Sequence, residues 1–376
     1  MNLFSFIFAL LALSSTFAIG ELPAKNDPFN SLLWNRQNHL QKNNQIDTGD
    51  WFEWWYYKVI QPDTQEAFFF TYGIINPWDK NKTLGGTKAV VQLGRFATHE
   101  LVENDYPVQA FQSNYDSPHV NIAGNIATDK LLHGSAVTKD GKQISWHLEI
   151  KKEWSFDAMG WGMRIPDISG IYWYPAQASA RMTGWIRYPD KTFEFRDALG
   201  YQDRNWGRSF PKWWTWLHAN HFKDSPGTVL AAGGGVPKVF DSFYLFAGLC
   251  IGLKFQGKDY IFRTTDADSV KFDIRWGVWK IWAQNKSGEK IEISAYASPD
   301  KFMLLPFQSP RGPVFNDYEA LMGQMHVRLY KWSYAAYDWL KIADLQSDEA
   351  GIEWGSPEPI DSTGLMDIFT SNIHLQ

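Results

Sequence analysis

The chain of 376 residues contains one cysteine, Cys250, so no intramolecular disulfide can form and stability has to come from a packed core. Within "FYLFAGLCIGLKF" that cysteine reads as a small buried hydrophobe. Dense Lys/Arg runs are also missing, and the net charge is -5, which removes the electrostatic footprint of a nucleic-acid binder. His218 and His221 lie three apart, where a strand would point them to opposite faces, and no HExxH or Cys/His cluster supplies a metal site. No GxSxG elbow is present, and "AAGGGVPK" (231–238) lacks the lysine–serine ending and helix of a phosphate loop. Its glycines are read as allowing a turn or a strand bend. Beyond Leu13 no apolar run is long enough to cross a membrane as a helix.

The first twenty residues, "MNLFSFIFALLALSSTFAIG", read as an address. An apolar stretch from Leu3 to Leu13 is followed by small residues, with Ala18 and Gly20 at the -3 and -1 positions of a cleavage site. The expectation is residues 1–20 as a signal peptide and an exported mature chain from Glu21, secreted, periplasmic or in the lumen of a secretory pathway. Two sequons, at Asn81 and Asn285, matter only in a host that glycosylates exported proteins.

Aromatic residues are the surplus: 16% of the chain, including 20 Trp. Such rings favour strands, carry large apolar area and can face hydrophobic or cationic ligands. Period-two patterns run through the chain. In "QISWHLEIK", Ile144, Trp146, Leu148 and Ile150 alternate with polar residues, and "SVKFDIRWGV" repeats the pattern. Turn signals at "KDGK" (139–142), "YPDK" (188–191) and "KSGEK" (286–290) separate the strands at hairpin spacing. The pattern predicts an antiparallel all-β chain with a few short helices, one in "NSLLWNRQNHLQKN" (30–43) and one in "SYAAYDWLKIADLQ" (333–346).

The length suits two β units, each barrel or sandwich, after an N-terminal extension at 21–46; the boundaries expected are 47–200 and 201–376. A weak echo between "ARMTGWIRY" (180–188) and "ALMGQMHVRLY" (320–330) supports a duplicated plan. With the junction near 190–210, "GYQDRNWG" (200–207) falls between the units, where ligand sites are favoured.

Two segments concentrate chemistry. Along "GDWFEWWYYKVI" (49–60), Trp51, Glu53, Trp55 and Tyr57 share one strand face and Phe52, Trp54 and Tyr56 the other. Glu53 is either paired with an arginine of another strand or an acid whose pKa is raised by apolar surroundings. In "GYQDRNWG", Asp203 and Asn205 share one face, and Gln202, Arg204 and Trp206 share the other. Asp203 either anchors an ion pair with Arg204 or Arg208, or stays protonated among rings and donates that proton to a substrate.

These residues carry a resemblance. Glu53-Trp54-Trp55-Tyr56-Tyr57, then Asp203, then Asn205-Trp206-Gly207, Phe210-Pro211, Trp214, Trp216, Asn220, Phe222 and Ala231-Ala232-Gly233-Gly234 are similar to the tocopherol cyclase family. That family is grouped with carotenoid 1,2-hydratases and certain fungal Diels-Alderases in a lipocalin-like superfamily. The resemblance keeps its order over most of the mature chain. It implies two lipocalin-like antiparallel β domains with an apolar ligand site between or within them. It also implies a reaction without cofactor or metal, the proton-initiated closure of a hydrophobic prenylated hydroquinone to a chromanol. In that scheme Asp203 is the proton donor or its organiser, Asn205 orients a polar substrate group, and Glu53 is the competing acid. Trp54, Tyr56, Trp206, Trp214 and Trp216 shape the substrate site with Asn220, and Tyr201 completes a hydrogen-bond path. The chain departs from plant-type cyclases at Asp203-Arg204, where they carry Glu-Lys, and at His218, where they carry Gln; an Asp at the first of these resembles the hydratase branch. A hydratase of isoprenoid double bonds and a noncatalytic carrier of hydrophobic molecules, with transient membrane-surface contact, stand as the alternatives.

Overall fold

The computed structural model describes residues 50–360, apart from 78, 80–85, 115–117, 162–167, 241 and 313. The expected signal peptide, the extension at 21–46 with its helix, and the Asn81 sequon lie outside the described residues. The first sheet is built from β1 (Phe52–Gln61), β2 (Glu66–Ile75), β3 (Lys88–Arg95), β4 (Glu100–Tyr106), β5 (Phe111–Ser113), β6 (His119–Ile122), β7 (Asn125–Thr128), β8 (Leu131–Val137), β9 (Gln143–Trp154), β10 (Ile171–Arg187) and β11 (Thr192–Gly207). The second takes β12 (Trp214–Ala219), β13 (Val229–Gly235), β16 (Gly248–Phe255), β17 (Lys258–Arg263), β18 (Ser269–Arg275), β19 (Val278–Gln284), β20 (Glu289–Tyr296), β21 (Met303–Gln308), β22 (Val314–Ser333) and β23 (Asp338–Ser356). Between β13 and β16, β14 (Lys238–Val239) and β15 (Phe243–Tyr244) form a small separate ribbon.

The two sheets share one topology. In the first the order is β4-β3-β2-β1-β11-β10-β9, continuing to β5, and in the second β17-β16-β13-β12-β23-β22-β20, continuing to β18. Each last strand therefore returns to lie against its sheet's first strand, β11 on β1 and β23 on β12. The echo segments fall mainly on β10 and β22, which hold equivalent places beside those returning strands. All these pairings are antiparallel, and the all-β, two-unit architecture is the expected one.

Alternation explains why each sheet has a core of its own. Trp55, Tyr57 and Val59 of β1 pack with Ile144, Trp146 and Leu148 of β9 inside the first sheet, while Leu217, Trp279, Ile293 and Val327 do so inside the second. The opposite face of the central strands is apolar too: Tyr56, Ile60, Tyr201, Trp216 and Leu321 form a third cluster where the sheets meet. Burial on both faces fits the aromatic and aliphatic residues that occupy both sides of "FEWWYYKVI", broken only by Glu53 and Lys58.

Three expectations are corrected. The segment 333–346 is not a helix: β22 ends at Ser333, the chain turns through Tyr337 at φ 52°, and β23 begins at Asp338. Pairing of Val327 with Leu345 and of Leu329 with Ala343 buries the inward residues, so long-range register overrides the local three-and-four spacing. Helical structure among the described residues consists of single 3-10 turns such as Pro62–Thr64. "GYQDRNWG" is not a junction either, because it is the end of β11, fully paired with β1 from Phe52–Gly207 to Ile60–Leu199. The chain passes to the second sheet between Gly207 and Trp214, later than the boundary at 200. Of the two roles expected for the "GGG" run, the turn is not what it makes: the three glycines lie within β13 and line the cavity between the sheets.

Candidate functional site

Between the sheets lies a cavity of about 260 Å³, close to the lower size of small-molecule sites. Its first wall follows from the β1–β11 register, which sets Tyr56 opposite Asp203 and Trp54 opposite Asn205. With a side-chain period of two, Trp54, Tyr56 and Lys58 leave β1 on the face toward the second sheet, as Tyr201, Asp203 and Asn205 leave β11. Trp173 of β10 completes this wall. From the second sheet come Trp214 and Trp216 of β12, Phe307 of β21, Asp317 and Glu319 of β22 and Glu353 of β23. Room for the two β12 indoles is made by glycines on β23. A Cβ on Gly351 would stand 2.4 Å from the Trp216 ring, and one on Gly355 2.3 Å from the Trp214 ring, so neither position accepts a side chain without moving a ring.

Asp203 is the best-held group of the first wall. Trp173 Nε1–H and Tyr201 O–H each donate to its Oδ2 at 2.8 Å, and Asn205 Nδ2 donates to Oδ1 at 3.2 Å. The Tyr201 hydroxyl in turn accepts from Trp216 Nε1 at 3.0 Å, so a chain of donors runs from β12 to the carboxyl. Burial pushes the Asp203 carboxyl up to about 7, with the Trp173 and Tyr201 hydrogen bonds opposing the rise. At neutral pH the group is thus divided between acid and anion, and the same donors that oppose the rise stabilise the carboxylate left when its proton departs.

The second wall carries three more carboxyls. Trp214 Nε1–H donates to Asp317 Oδ1 at 3.1 Å and also to Glu353 Oε1. Tyr56 O–H donates to Glu319 Oε1. Burial holds all three acids well above the usual carboxylate range, and their mutual repulsion adds to it. Beneath the cavity floor Lys58 is fully buried, its Nζ 5.1 Å from the Trp216 ring centre and 5.9 Å from that of Tyr201. Burial lowers its ammonium to about 7, and Glu319 pulls the other way. His218, also buried, is held neutral by burial and by Lys58 and shares a 2.7 Å hydrogen bond between Nε2 and Ala178 O. His221, by contrast, is exposed and pairs with Glu349. Cys250 is half-buried on the cavity wall, its thiol pushed up to about 12 by burial.

The structure brings Asp203, Asn205, Trp54, Tyr56, Trp214 and Trp216 together on the cavity. Tyr201 stands one hydrogen bond behind it. Glu53 does not reach it: the side chain leaves β1 on the opposite face and forms a buried ion pair with Arg204. That guanidinium also covers the Trp206 ring at 4.4 Å. Trp206 packs in the first sheet's core, stacked on Tyr172, and Asn220 spends its Nδ2 on Gly200 O at 2.8 Å, away from the cavity. Glu53 as competing acid, and Trp206 and Asn220 as substrate contacts, are therefore corrected to structural roles. Arg204 answers Glu53 rather than Asp203. Sequence reading missed Trp173, Lys58, Asp317, Glu319 and Glu353. A signal existed for the two β22 acids: "FNDYEAL" puts Phe315, Asp317, Glu319 and Leu321 on one face while Ala320 faces the core, leaving no wet side for the carboxyls.

At the cavity mouth the β14–β15 ribbon exposes Phe240, Phe243, Tyr244, Leu245 and Phe246, each between 38% and 50% accessible. Leu245 and Phe246 line the cavity as well, so the outer apolar patch and the inner site are continuous.

Comparison with known proteins places the site in context. The family model described as tocopherol cyclase-like matches residues 98–356. A chloroplastic tocopherol cyclase of Zea mays is 26% identical over 358 residues, covering 81% of this chain and 74% of that protein. A probable chloroplastic tocopherol cyclase of Oryza sativa subsp. japonica is 24% identical over 362 residues, with 81% and 75% covered. Among solved structures, CghA with Sch210972 aligns with a TM-score of 0.48 at 12% identity, over 82% of this chain and 88% of that one. Kievitone hydratase from Nectria haematococca aligns with a TM-score of 0.44 at 10% identity, over 89% and 98%.

Proposed function

The chain belongs to the tocopherol cyclase-like family, and on that premise we propose that it is a cofactor-independent acid catalyst that closes a prenylated hydroquinone to a chromanol. One observation carries the reading: a buried carboxyl, Asp203, stands on the wall of an aromatic cavity with three hydrogen-bond donors aimed at it. Protonating a trisubstituted alkene requires a carboxyl that still holds its proton in a water-poor site and has donors ready for the carboxylate it becomes; burial keeps Asp203 protonated up to about pH 7, and the Trp173 and Tyr201 donors meet the anion. The tertiary cation that forms is favoured beside the faces of Trp54, Trp214 and Trp216. Holding the hydroxyl against that cation within one folded substrate supplies much of the rate. Asn205, half-buried beside Asp203, is suited to orient the substrate's ring hydroxyl.

The test is incubation of purified chain with prenylated hydroquinones and no additive, followed by chromatography and mass analysis. Cyclisation gives a product of unchanged mass and altered retention. A gain of one water would instead identify a hydratase, and tight binding without turnover would identify a carrier.

The acid role also sets a pH dependence. Because the protonated carboxyl is the reactive form, kcat should be flat below the Asp203 pKa of about 7 and fall about tenfold per pH unit above it. A pH–rate profile that rises through neutrality would contradict the assignment.

The apolar patch at the mouth extends the reading to delivery. A lipid surface is where a prenylated substrate dissolves, and rings on the β14–β15 ribbon are placed to enter it. Replacing Phe243 and Tyr244 by Ser should lower co-sedimentation with phosphatidylcholine vesicles roughly fivefold or more, with detergent-dispersed substrate still converted. Unchanged sedimentation would remove the membrane from the scheme. Export completes the reading, supported by the Leu3–Leu13 apolar run.

A further inference from the structure

Adding a proton and a hydroxyl oxygen across a double bond leaves one proton to be removed. When the two add to opposite faces of the alkene, the group that takes the hydroxyl proton has to stand across the cavity from the acid. The second wall offers such a group. Asp317 and Glu353 both line the cavity and share one donor, Trp214 Nε1–H. Glu353 also repeats the position of Asp203: each lies on the returning strand of its sheet, Asp203 opposite Tyr56 of β1 and Glu353 opposite Trp216 of β12. Each carboxyl is met by an indole N–H, from Trp173 on one side and Trp214 on the other. Two carboxyls that close on one donor repel each other when both are charged, so the pair gives up its protons in two separate steps, and between those steps it carries one carboxylate able to accept a proton.

Resting on the function proposed above, we infer that the Asp317–Glu353 pair is the proton acceptor of the reaction, the base facing the Asp203 acid across the cavity. The steps balance. The alkene π pair forms a C–H bond with the Asp203 proton, and Asp203 becomes a carboxylate. A lone pair of the substrate hydroxyl forms the C–O bond to the tertiary cation. The O–H bond then breaks, its electron pair stays on oxygen, and its proton passes to the carboxylate of the pair. Exchange with solvent restores both walls before the next turnover.

The experiment compares Glu353→Gln and Asp317→Asn with wild type on a geranylated hydroquinone and on its ring-fluorinated counterpart, whose phenol is more acidic. Thermal melts and fluorescence titration with the saturated-chain hydroquinone check folding and binding. The expected result is a kcat loss of roughly 100-fold or more on the plain quinol at unchanged KM, shrinking to about tenfold on the fluorinated one, because a more acidic hydroxyl needs less help from a base. Equal losses on both quinols, a change in KM alone, or undiminished turnover would overturn the acceptor role while leaving the cyclase reading intact. If either variant fails to fold, the other decides by the same comparison; if both fail, the groups are structural and the inference is overturned. A wild type that binds both quinols and converts neither would overturn the cyclase reading and the acceptor role together.

Discussion

Asp203→Asn should lower kcat by roughly 10²–10⁴-fold while affinity for a saturated-chain hydroquinone stays within about twofold. An asparagine keeps the size of the side chain and leaves an oxygen for the Trp173 and Tyr201 donors, but it has no acidic proton for the alkene. A fall in affinity matching the fall in turnover would mean that Asp203 shapes the cavity rather than protonating the substrate. The same variant has a stability signature. The carboxyl titrates near 7 in the fold against about 3.9 in an unfolded chain, so between those values the folded state binds more protons. Its favourable contribution is therefore complete below about pH 4 and is lost as pH rises through about 7. Asparagine carries no such loss, so denaturation of the two proteins should diverge as pH rises, with the variant the more stable at pH 8. That is the direction expected where a site gives up stability for chemistry.

Glu53→Gln should do the reverse. Glu53 and Arg204 are both fully buried and joined as an ion pair, and removing one partner of such a pair costs about 3–5 kcal/mol because the remaining charge loses its counterion in a low-dielectric place. Denaturant titration at pH 7 should show that loss, and turnover per folded molecule should be retained, since Glu53 faces away from the cavity. A stable variant with abolished turnover would return Glu53 to the reaction and contradict the division of faces on β1. The two variants together thus separate stability from chemistry on neighbouring strands.

How much of this was legible beforehand depends on range. Period-two alternation identified β9 correctly, down to the buried Ile144, Trp146, Leu148 and Ile150; the turns at 139–142 and 188–191 fall between strands, and 286–290 runs from the β19–β20 turn into the start of β20. Alternation also divided Asp203 and Asn205 from Arg204 and Trp206, because a strand's two faces are fixed by local geometry alone. Which face met the cavity was another matter. β1 and the end of β11 are buried on both sides, and no local pattern says that the side carrying Glu53 closes on a private core while the side carrying Tyr56 meets a second sheet. The partners of Asp203 show the same limit, since Trp173 comes from a strand 30 residues away in sequence and only the register of β10 against β11 brings it near. Glu353 is further still, a lone acid in "GIEWGS" whose meaning depends on β12, supplied 139 residues earlier in the chain by Trp214.

If this cavity delivers a proton to carbon, heavy water will mark the product. A single turnover of a geranylated hydroquinone in D₂O should give a cyclised product carrying one deuterium that does not wash out, on the ring carbon beside the newly formed C–O bond, with none in the Asp203→Asn reaction. A cyclised product free of carbon-bound deuterium, or one formed equally by the variant, would contradict it.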